Sequence, residues 1–284
     1  MHSRINYNGR LLEAAKARGP LLSAASLYGR GVFTTLAVYQ HSPFLWPEHW
    51  ARLTEHAARA GIDAGAFDEE SVFGSLAQLI EANGVKEGRA RLTLLAGAEQ
   101  QGVWKVKGAG EKAQLLIMTG EARPPSTDGL ALTISPYRLN TLSPLAGLKS
   151  VNYLEHILSW EEARARDFDE ALMLNERGEI ASATLANIFW VRDGTLHTPA
   201  LSTGALAGTT RALIIRLAGE LSVPFVEGVY DLSALGDADE ILLTSAGLGL
   251  GLVTTFDFHR YTVAVGSTAL RLHEAFRQLT LRAG

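Results

Sequence analysis

The stretch GEARPPSTDG at 120–129 concentrates Pro, Gly, Ser and charge between two apolar runs, AQLLIMTG and LALTIS. Pro and Gly interrupt both regular periods and the polar side chains need no burial, so the stretch reads as an exposed linker. It divides the chain into a smaller N-terminal domain, 1–121, and a larger C-terminal domain, 122–284. Each half then has to build its own core, and a hydrophobic content of 47% supplies enough apolar surface for two.

Both halves mix strands and helices. VFTTLAVYQ (32–40) reads as a strand, after which Trp46, Trp50, Leu53 and Ala57 recur at helical spacing. SVFGSLAQLIEANG (71–84) reads as a second helix stopped by Gly84, with ARLTLLAG and AQLLIMTG as further strands. Beyond the linker, LALTIS, EALMLN, NIFWVR and DEILLTS read as strands, with helices expected at 153–166, 209–221 and 268–279. Strict strand–helix alternation is absent, which favours an α+β fold over a doubly wound parallel sheet. The uncharged run ILLTSAGLGLGLVTTF (241–256) is shorter than the roughly 20 residues of a membrane-spanning helix. It reads as a buried strand entering a glycine-rich loop.

Charge and composition exclude several partners. A net charge of −4 with scattered arginines leaves no basic footprint for nucleic acid. The absence of cysteine removes disulfides, thiolate catalysis and Cys-based zinc sites, and the eight histidines form no HExxH pair, so no metal site is expected. MHSRINYNGR lacks the apolar core of a signal peptide and no membrane segment is expected, which makes the cytoplasm the expected location.

Four segments can carry chemistry. LAGTTRALIIRLAGEL (206–221) sets Gly-Thr-Thr-Arg before a helix with an apolar stripe; such an end is either an ordinary Thr cap or an anion site. A Walker loop is excluded because Thr209 stands where lysine is required. LTSAGLGLG (243–251) ends a strand on Thr244 and Ser245 before Gly247, Gly249 and Gly251; no helix and acidic ribose partner follow, so a dinucleotide fingerprint is weak. In EHWARLTEH (48–56), His49, Arg52 and His56 share one helix side, either a solvated polar face or an anion clamp. LKSVNYLEHIL (148–158) places Lys149 before an amphipathic helix carrying Leu154, Ile157 and Leu158, either as a surface charge or as a reactive amine.

GRGVFTTL, the EHWARL helix, SPLAGLKSVNYL, DEALMLNERGEI, ANIFWV, LHTPALSTGALAGTTR and ILLTSAG, taken in that order, resemble the class IV aminotransferase family, the fold-type-IV pyridoxal-phosphate enzymes. The resemblance spans nearly the whole chain. It implies a two-domain α+β homodimer acting on a small-molecule amine, with pyridoxal 5'-phosphate held between the domains. Lys149 falls on the family's Schiff-base lysine. By the same resemblance Arg52, Thr209, Thr210 and Ser245 hold the phosphate, Tyr153 neighbours the ring hydroxyl, and Tyr28 and Thr34 contact substrate. The chemistry agrees, since this cofactor needs an amine for its aldehyde, donors for its phosphate and a base at the substrate's amine-bearing carbon.

Two departures shape the expected reaction. Family members commonly carry a glutamate five residues before the Asn of a SNIF-like segment, and counting back from Asn187 gives Ser182. Glu179, three residues away, faces the opposite side of an unbroken strand; a bulge would turn it back, though nothing in the sequence requires one. A hydroxyl adds no negative charge to hold a proton on the cofactor's ring nitrogen, which weakens the electron sink. Arg30 stands where many relatives have an acid. Phe33-Thr34-Thr35 resembles the FTT of aminodeoxychorismate lyases, although β-branched residues suit any strand. Ser182 and FTT together favour 4-amino-4-deoxychorismate lyase, which releases 4-aminobenzoate and pyruvate in folate biosynthesis, because aromatisation supplies driving force. The alternatives are an aminotransferase on an amino acid or primary amine, and a pyridoxal-phosphate-binding protein without turnover.

Overall fold

A computed structural model describes residues 1–97, 112–122 and 129–282. Positions 123–128 of the expected linker lie outside the described residues. The chain divides into two compact units. The first contains the described part of 1–123 together with Leu148–Asn152, and the second contains the described part of 124–147 together with Tyr153–Arg282. The strip bearing Lys149 therefore belongs with the first unit, although its sequence position lies within 122–284.

The first unit is built on a six-stranded antiparallel sheet in the order β2-β1-β6-β5-β3-β4. Its strands are Arg4–Tyr7 (β1), Arg10–Glu13 (β2), Gly31–Tyr39 (β3), Ser42–Pro43 (β4), Gly88–Leu95 (β5) and Gln114–Glu121 (β6). Its helices are Ala24–Tyr28 (α1), Trp46–Arg59 (α2) and Glu69–Ala82 (α3). Strand alternation sends Val32, Leu36, Leu92 and Ile117 to one core with Leu53 of α2 and Leu76 and Leu79 of α3. Phe33, Thr35 and Arg91 have the opposite parity, and Thr35 lies opposite Arg91 in register.

The helix ends are set locally. Asp68 accepts the Ser71 N–H at 2.9 Å to start α3, and Gly84, at φ +63°, takes the left-handed conformation after its end. Arg30 donates to the Gly61 carbonyl at 2.8 Å, placing a cation at the negative end of α2. This gives Arg30, unexplained by the family pattern, a structural task.

The Lys149 strip runs antiparallel along β3: Val32 bridges Ser150, Phe33 N–H donates to the Lys149 carbonyl at 2.9 Å, and Val151 N–H donates to Gly31 at 3.0 Å. Asn152 closes the strip by donating to the Gly29 carbonyl at 2.7 Å. A Cβ on Gly29 (φ +64°) would lie 2.4 Å from the Asn152 side-chain oxygen, so only glycine fits.

The second unit carries a nine-stranded mixed sheet in the order β12-β11-β10-β13-β14-β7-β8-β9, with β15 paired to β14. The strands are Leu130–Leu139 (β7), Glu170–Asn175 (β8), Ile180–Ala183 (β9), Asn187–Arg192 (β10), Thr195–Pro199 (β11), Phe225–Gly228 (β12), Glu240–Ser245 (β13), Gly249–Phe256 (β14) and His259–Arg260 (β15). Leu154–Ala165 (α4), Thr209–Glu220 (α5), Ser233–Gly236 (α6) and Thr268–Leu281 (α7) complete it. Ile188, Trp190, Ile241 and Leu243 share a core with Leu172 and with Leu235 of α6.

Two sequence expectations change here. The glycine-rich loop shrinks to a turn, and Gly249 and Gly251 lie in β14. Glycine is needed there for close approach: a Cβ on Gly249 would meet Phe276 at 2.9 Å, and one on Gly251 would meet Leu130 at 2.7 Å. The strand expected to be unbroken before Asn187 contains a register shift, with Met173 opposite Ser182 but Leu174 opposite Ile180. Simple parity therefore does not decide where Glu179 points.

Candidate active site

In the first unit α2 turns His49, Arg52 and His56 inward. Their exposures of 1%, 9% and 2% rule out a solvated polar face. Thr34, on the same face of β3 as Val32 and Leu36, accepts a hydrogen bond from the Arg52 guanidinium at 2.9 Å. The Thr34 hydroxyl also lies 2.7 Å from His49 Nδ1. Because guanidinium can only donate, Thr34 accepts from Arg52, and the sense of its bond to the imidazole is set by the ring tautomer. The hydroxyl expected to contact substrate is engaged in holding Arg52. Tyr28, the other expected substrate contact, is half exposed at the end of α1.

Lys149 approaches from the neighbouring strip. Its backbone N–H donates to His56 Nδ1 at 3.0 Å, and its amine lies 4.5 Å from the centroid of the Phe33 ring. The Arg91 guanidinium lies 3.7 Å from the same centroid. Arg91 goes unmarked in the sequence, where His49, His56 and Phe33 stand only as neighbours of Arg52 and Thr34. For Arg91 the missing signal is strand pairing, which no local pattern supplies.

These neighbours set the protonation states. Lys149 is half-buried as a residue, yet burial is the largest influence on its amine; with the Arg52 and Arg91 charges it pushes the pKa down to about 7. A substantial fraction of the amine is then unprotonated and nucleophilic at neutral pH. Burial first, then Arg52 and Lys149, holds His49 well below the usual imidazole range. Burial, then Arg52, Arg59 and Lys149, lowers His56 to about 4. Both imidazoles are neutral, so the formal charge here is carried by Arg52, Arg91 and the protonated fraction of Lys149.

The second unit gathers a different set. Gly208 stands at the N-cap of α5 and has no side chain with which to cap its first turn. A Cβ on Gly208 would lie 2.1 Å from Asn187 Oδ1, so glycine is required where Asn187 approaches; Asn187 also donates to the Leu206 carbonyl at 2.8 Å. Thr244 is the register partner of Asn187 and shares its sheet face. The Thr244 hydroxyl is buried with no hydrogen-bond partner among the described residues. Thr209 and Thr210, at the start of α5, are buried. Ser245, by contrast, has the opposite parity in β13 and accepts the Leu248 N–H at 3.2 Å. Tyr153 stands at the N-terminus of α4 with its ring stacked on His156.

Ser182 is 6% exposed in β9. Glu179 lies outside that strand, and its carboxylate accepts from Arg177 at 3.0 and 2.7 Å and from the Asn175 amide at 2.7 Å. These contacts, Arg177 first, hold Glu179 below the usual carboxylate range.

An anionic phosphate carrying an aldehyde fits these groups. The aldehyde requires an unprotonated amine, which Lys149 supplies. Donors of the kind a phosphate takes occur in each unit by itself: the buried Arg52 guanidinium in the first, and the start of α5 and the buried Thr244 hydroxyl in the second. Among the described residues no group of three or more His, Asp or Glu is placed to hold a metal ion, and no helix is long and apolar enough to cross a membrane.

Comparison with known proteins agrees with this chemistry. The family model described as amino-transferase class IV matches residues 31–256. The chain is 30% identical over 280 residues to the aminodeoxychorismate lyase of Bacillus subtilis, covering 96% of this chain and 94% of that protein. It is also 30% identical over 287 residues to a provisionally named branched-chain-amino-acid aminotransferase of Methanocaldococcus jannaschii, covering 99% and 98%. Among solved structures, the branched-chain aminotransferase of Thermoproteus uzoniensis with norvaline superposes with a TM-score of 0.91 at 27% identity, covering 100% of this chain and 96% of that one.

Proposed function

The chain belongs to the class IV aminotransferase family, enzymes that use pyridoxal phosphate, and on that premise we propose that it is a 4-amino-4-deoxychorismate lyase. When bound, the cofactor supplies an aldehyde for the substrate's amine and a ring that draws electrons from the amine-bearing carbon. We assign Lys149, Arg52, Thr209, Thr210 and Thr244 to holding it, with Tyr153 at its ring hydroxyl and Ser182 at its ring nitrogen. Thr244 replaces Ser245 in this assignment because its buried hydroxyl has no partner among the described residues.

The chain's own residues then act on the substrate. Lys149 removes the proton from the amine-bearing carbon, poised by an amine pKa of about 7. The neighbouring C–O bond to the enolpyruvyl group breaks, and the electron pair left on the ring carbon completes the aromatic ring of 4-aminobenzoate. The departing enolpyruvate takes up a proton at carbon to become pyruvate. Arg91 pairs with a carboxylate of this dicarboxylate substrate, with the Phe33 ring beneath it. Thr34 positions Arg52 rather than touching substrate.

Ser182 is the observation that carries the lyase reading. Its position offers a hydroxyl where the family commonly has a carboxylate, and Glu179 is committed to Arg177 and Asn175. At the cofactor's ring nitrogen Ser182 would supply a hydroxyl and no negative charge to hold a proton there. Aromatisation drives elimination without a strong electron sink, whereas transamination has no such help. Ser182→Glu is expected to raise amino-group transfer relative to pyruvate release; an unchanged ratio, with the variant folded and cofactor-loaded, would remove Ser182 from the argument.

The second reading is an aminotransferase acting on an amino acid, favoured by the TM-score of 0.91 to a branched-chain aminotransferase. Amino transfer to keto acids faster than pyruvate release would establish it.

A homodimer is part of the same proposal. Leu154, Ile157 and Leu158 leave one side of α4 apolar at 64%, 42% and 43% exposure, a face suited to a second copy. Sedimentation of the parent at twice the chain mass, and of Ile157→Glu/Leu158→Glu as monomer, is expected; a monomeric parent contradicts it.

A further inference from the structure

Lys149 has two backbone hydrogen-bonding groups of different fates. Its carbonyl accepts from Phe33 at 2.9 Å, as part of the strip's pairing with β3. Its N–H donates not to backbone but to His56 Nδ1 at 3.0 Å. A peptide N–H can only donate, so Nδ1 presents its lone pair and the ring proton resides on Nε2. His56 comes from α2, one turn beyond Arg52, and is 2% exposed, so no bulk water stands ready to replace it.

We propose that His56 is a positioning residue for Lys149, its neutral ring locking the backbone of the strip so that the amine is presented in one orientation. The bond ties the lysine to the helix that also carries Arg52, so that the two groups keep a fixed relation within the first unit. Every charge that shapes the ring's proton affinity is cationic, namely Arg52 and Arg59 of α2 and Lys149 of the strip; together with burial they keep the ring in the accepting form. Protonation of His56 would place a second donor against the Lys149 N–H and release the strip.

The effect on turnover rests on the reading of Lys149 as the cofactor-bearing lysine, whereas the hydrogen bond does not. Two variants separate the roles. His56→Asn can offer a side-chain oxygen near the position of Nδ1, and His56→Leu fills the space without an acceptor. Nitrogen-15 NMR of the full-length chain, with and without pyridoxal phosphate, is expected to show His56 neutral with Nδ1 unprotonated at neutral pH.

Hydrogen exchange at the Lys149 amide is expected to accelerate at least about tenfold in His56→Leu, while kcat falls about tenfold to a hundredfold with a smaller change in KM. His56→Asn should recover most of both. A protonated Nδ1, a His56→Leu variant matching the parent in exchange, or an Asn variant as impaired as Leu would overturn the proposal. If His56→Leu fails to fold, the ring tautomer and the Asn variant decide it. Altered exchange with unaltered turnover would overturn the catalytic consequence and point to failure of the Lys149 assignment, with the hydrogen bond intact.

Discussion

The two units offer an anion opposite kinds of attraction. The first gathers formal charge, with Arg52, Arg91 and Lys149 beside neutral imidazoles, and it does so at a cost visible in the lowered Lys149 and His56 pKa values. The second offers neutral donors, the start of α5 and the hydroxyls of Thr209, Thr210 and Thr244, none of which requires desolvating a charge. The difference teaches what each set costs: the charged set packs cations against one another, whereas the neutral set's cost is the buried Thr244 hydroxyl with no partner among the described residues.

Removing Lys149 tests the charged side most severely. Lys149→Met should abolish turnover and the borohydride-reducible cofactor adduct, yet make the cofactor-free protein more stable. A lysine pKa depressed from 10.5 to about 7 costs nothing above the unfolded value, and the penalty grows as pH falls and is full below the folded one. Urea unfolding near neutral pH should show a gain of roughly 4 kcal/mol at most, which disappears as pH approaches 10.5. A destabilised variant at neutral pH would refute the idea that packing these cations together is costly.

Arg52→Ala should weaken cofactor retention by about 1.5–3 kcal/mol, read as pyridoxal-phosphate affinity by titration. Equal affinity in parent and variant would remove Arg52 from the phosphate. On the neutral side the effect should be smaller. Thr244→Val deletes a buried hydroxyl that has no partner among the described residues, so the cofactor-free protein should be as stable as the parent or slightly more so, while cofactor affinity falls by about 1 kcal/mol. Loss of stability without loss of affinity would make Thr244 a structural residue.

Much of this was legible in the sequence, because the helices and most core strands obey local periods. α3, α4, α5 and α7 begin and end within two residues of the expected positions. Lys149, Arg52, Thr209 and Thr210 were named from family resemblance and anion chemistry, and their roles belong to the proposal. What escaped depends on pairing between distant segments. Arg91 acquires its place from its register with Thr35 and its parity with Phe33. The Lys149 strip joins the first unit through β3, far away in sequence. The choice of Thr244 over Ser245 turns on a single residue of parity, which sends the two hydroxyls to opposite faces. The register shift beside Ser182 has no marker in IASATLAN, where neither glycine nor proline announces a bulge.

Incubation of the cofactor-loaded protein with 4-amino-4-deoxychorismate, with pyruvate and 4-aminobenzoate quantified together, tests the lyase account most directly. Parallel reactions supply amino acids with keto-acid acceptors. The account predicts equimolar pyruvate and 4-aminobenzoate at a rate well above any amino-group transfer, and loss of both products in Lys149→Met. Rapid amino transfer to branched-chain keto acids, with no pyruvate released from aminodeoxychorismate, would contradict it.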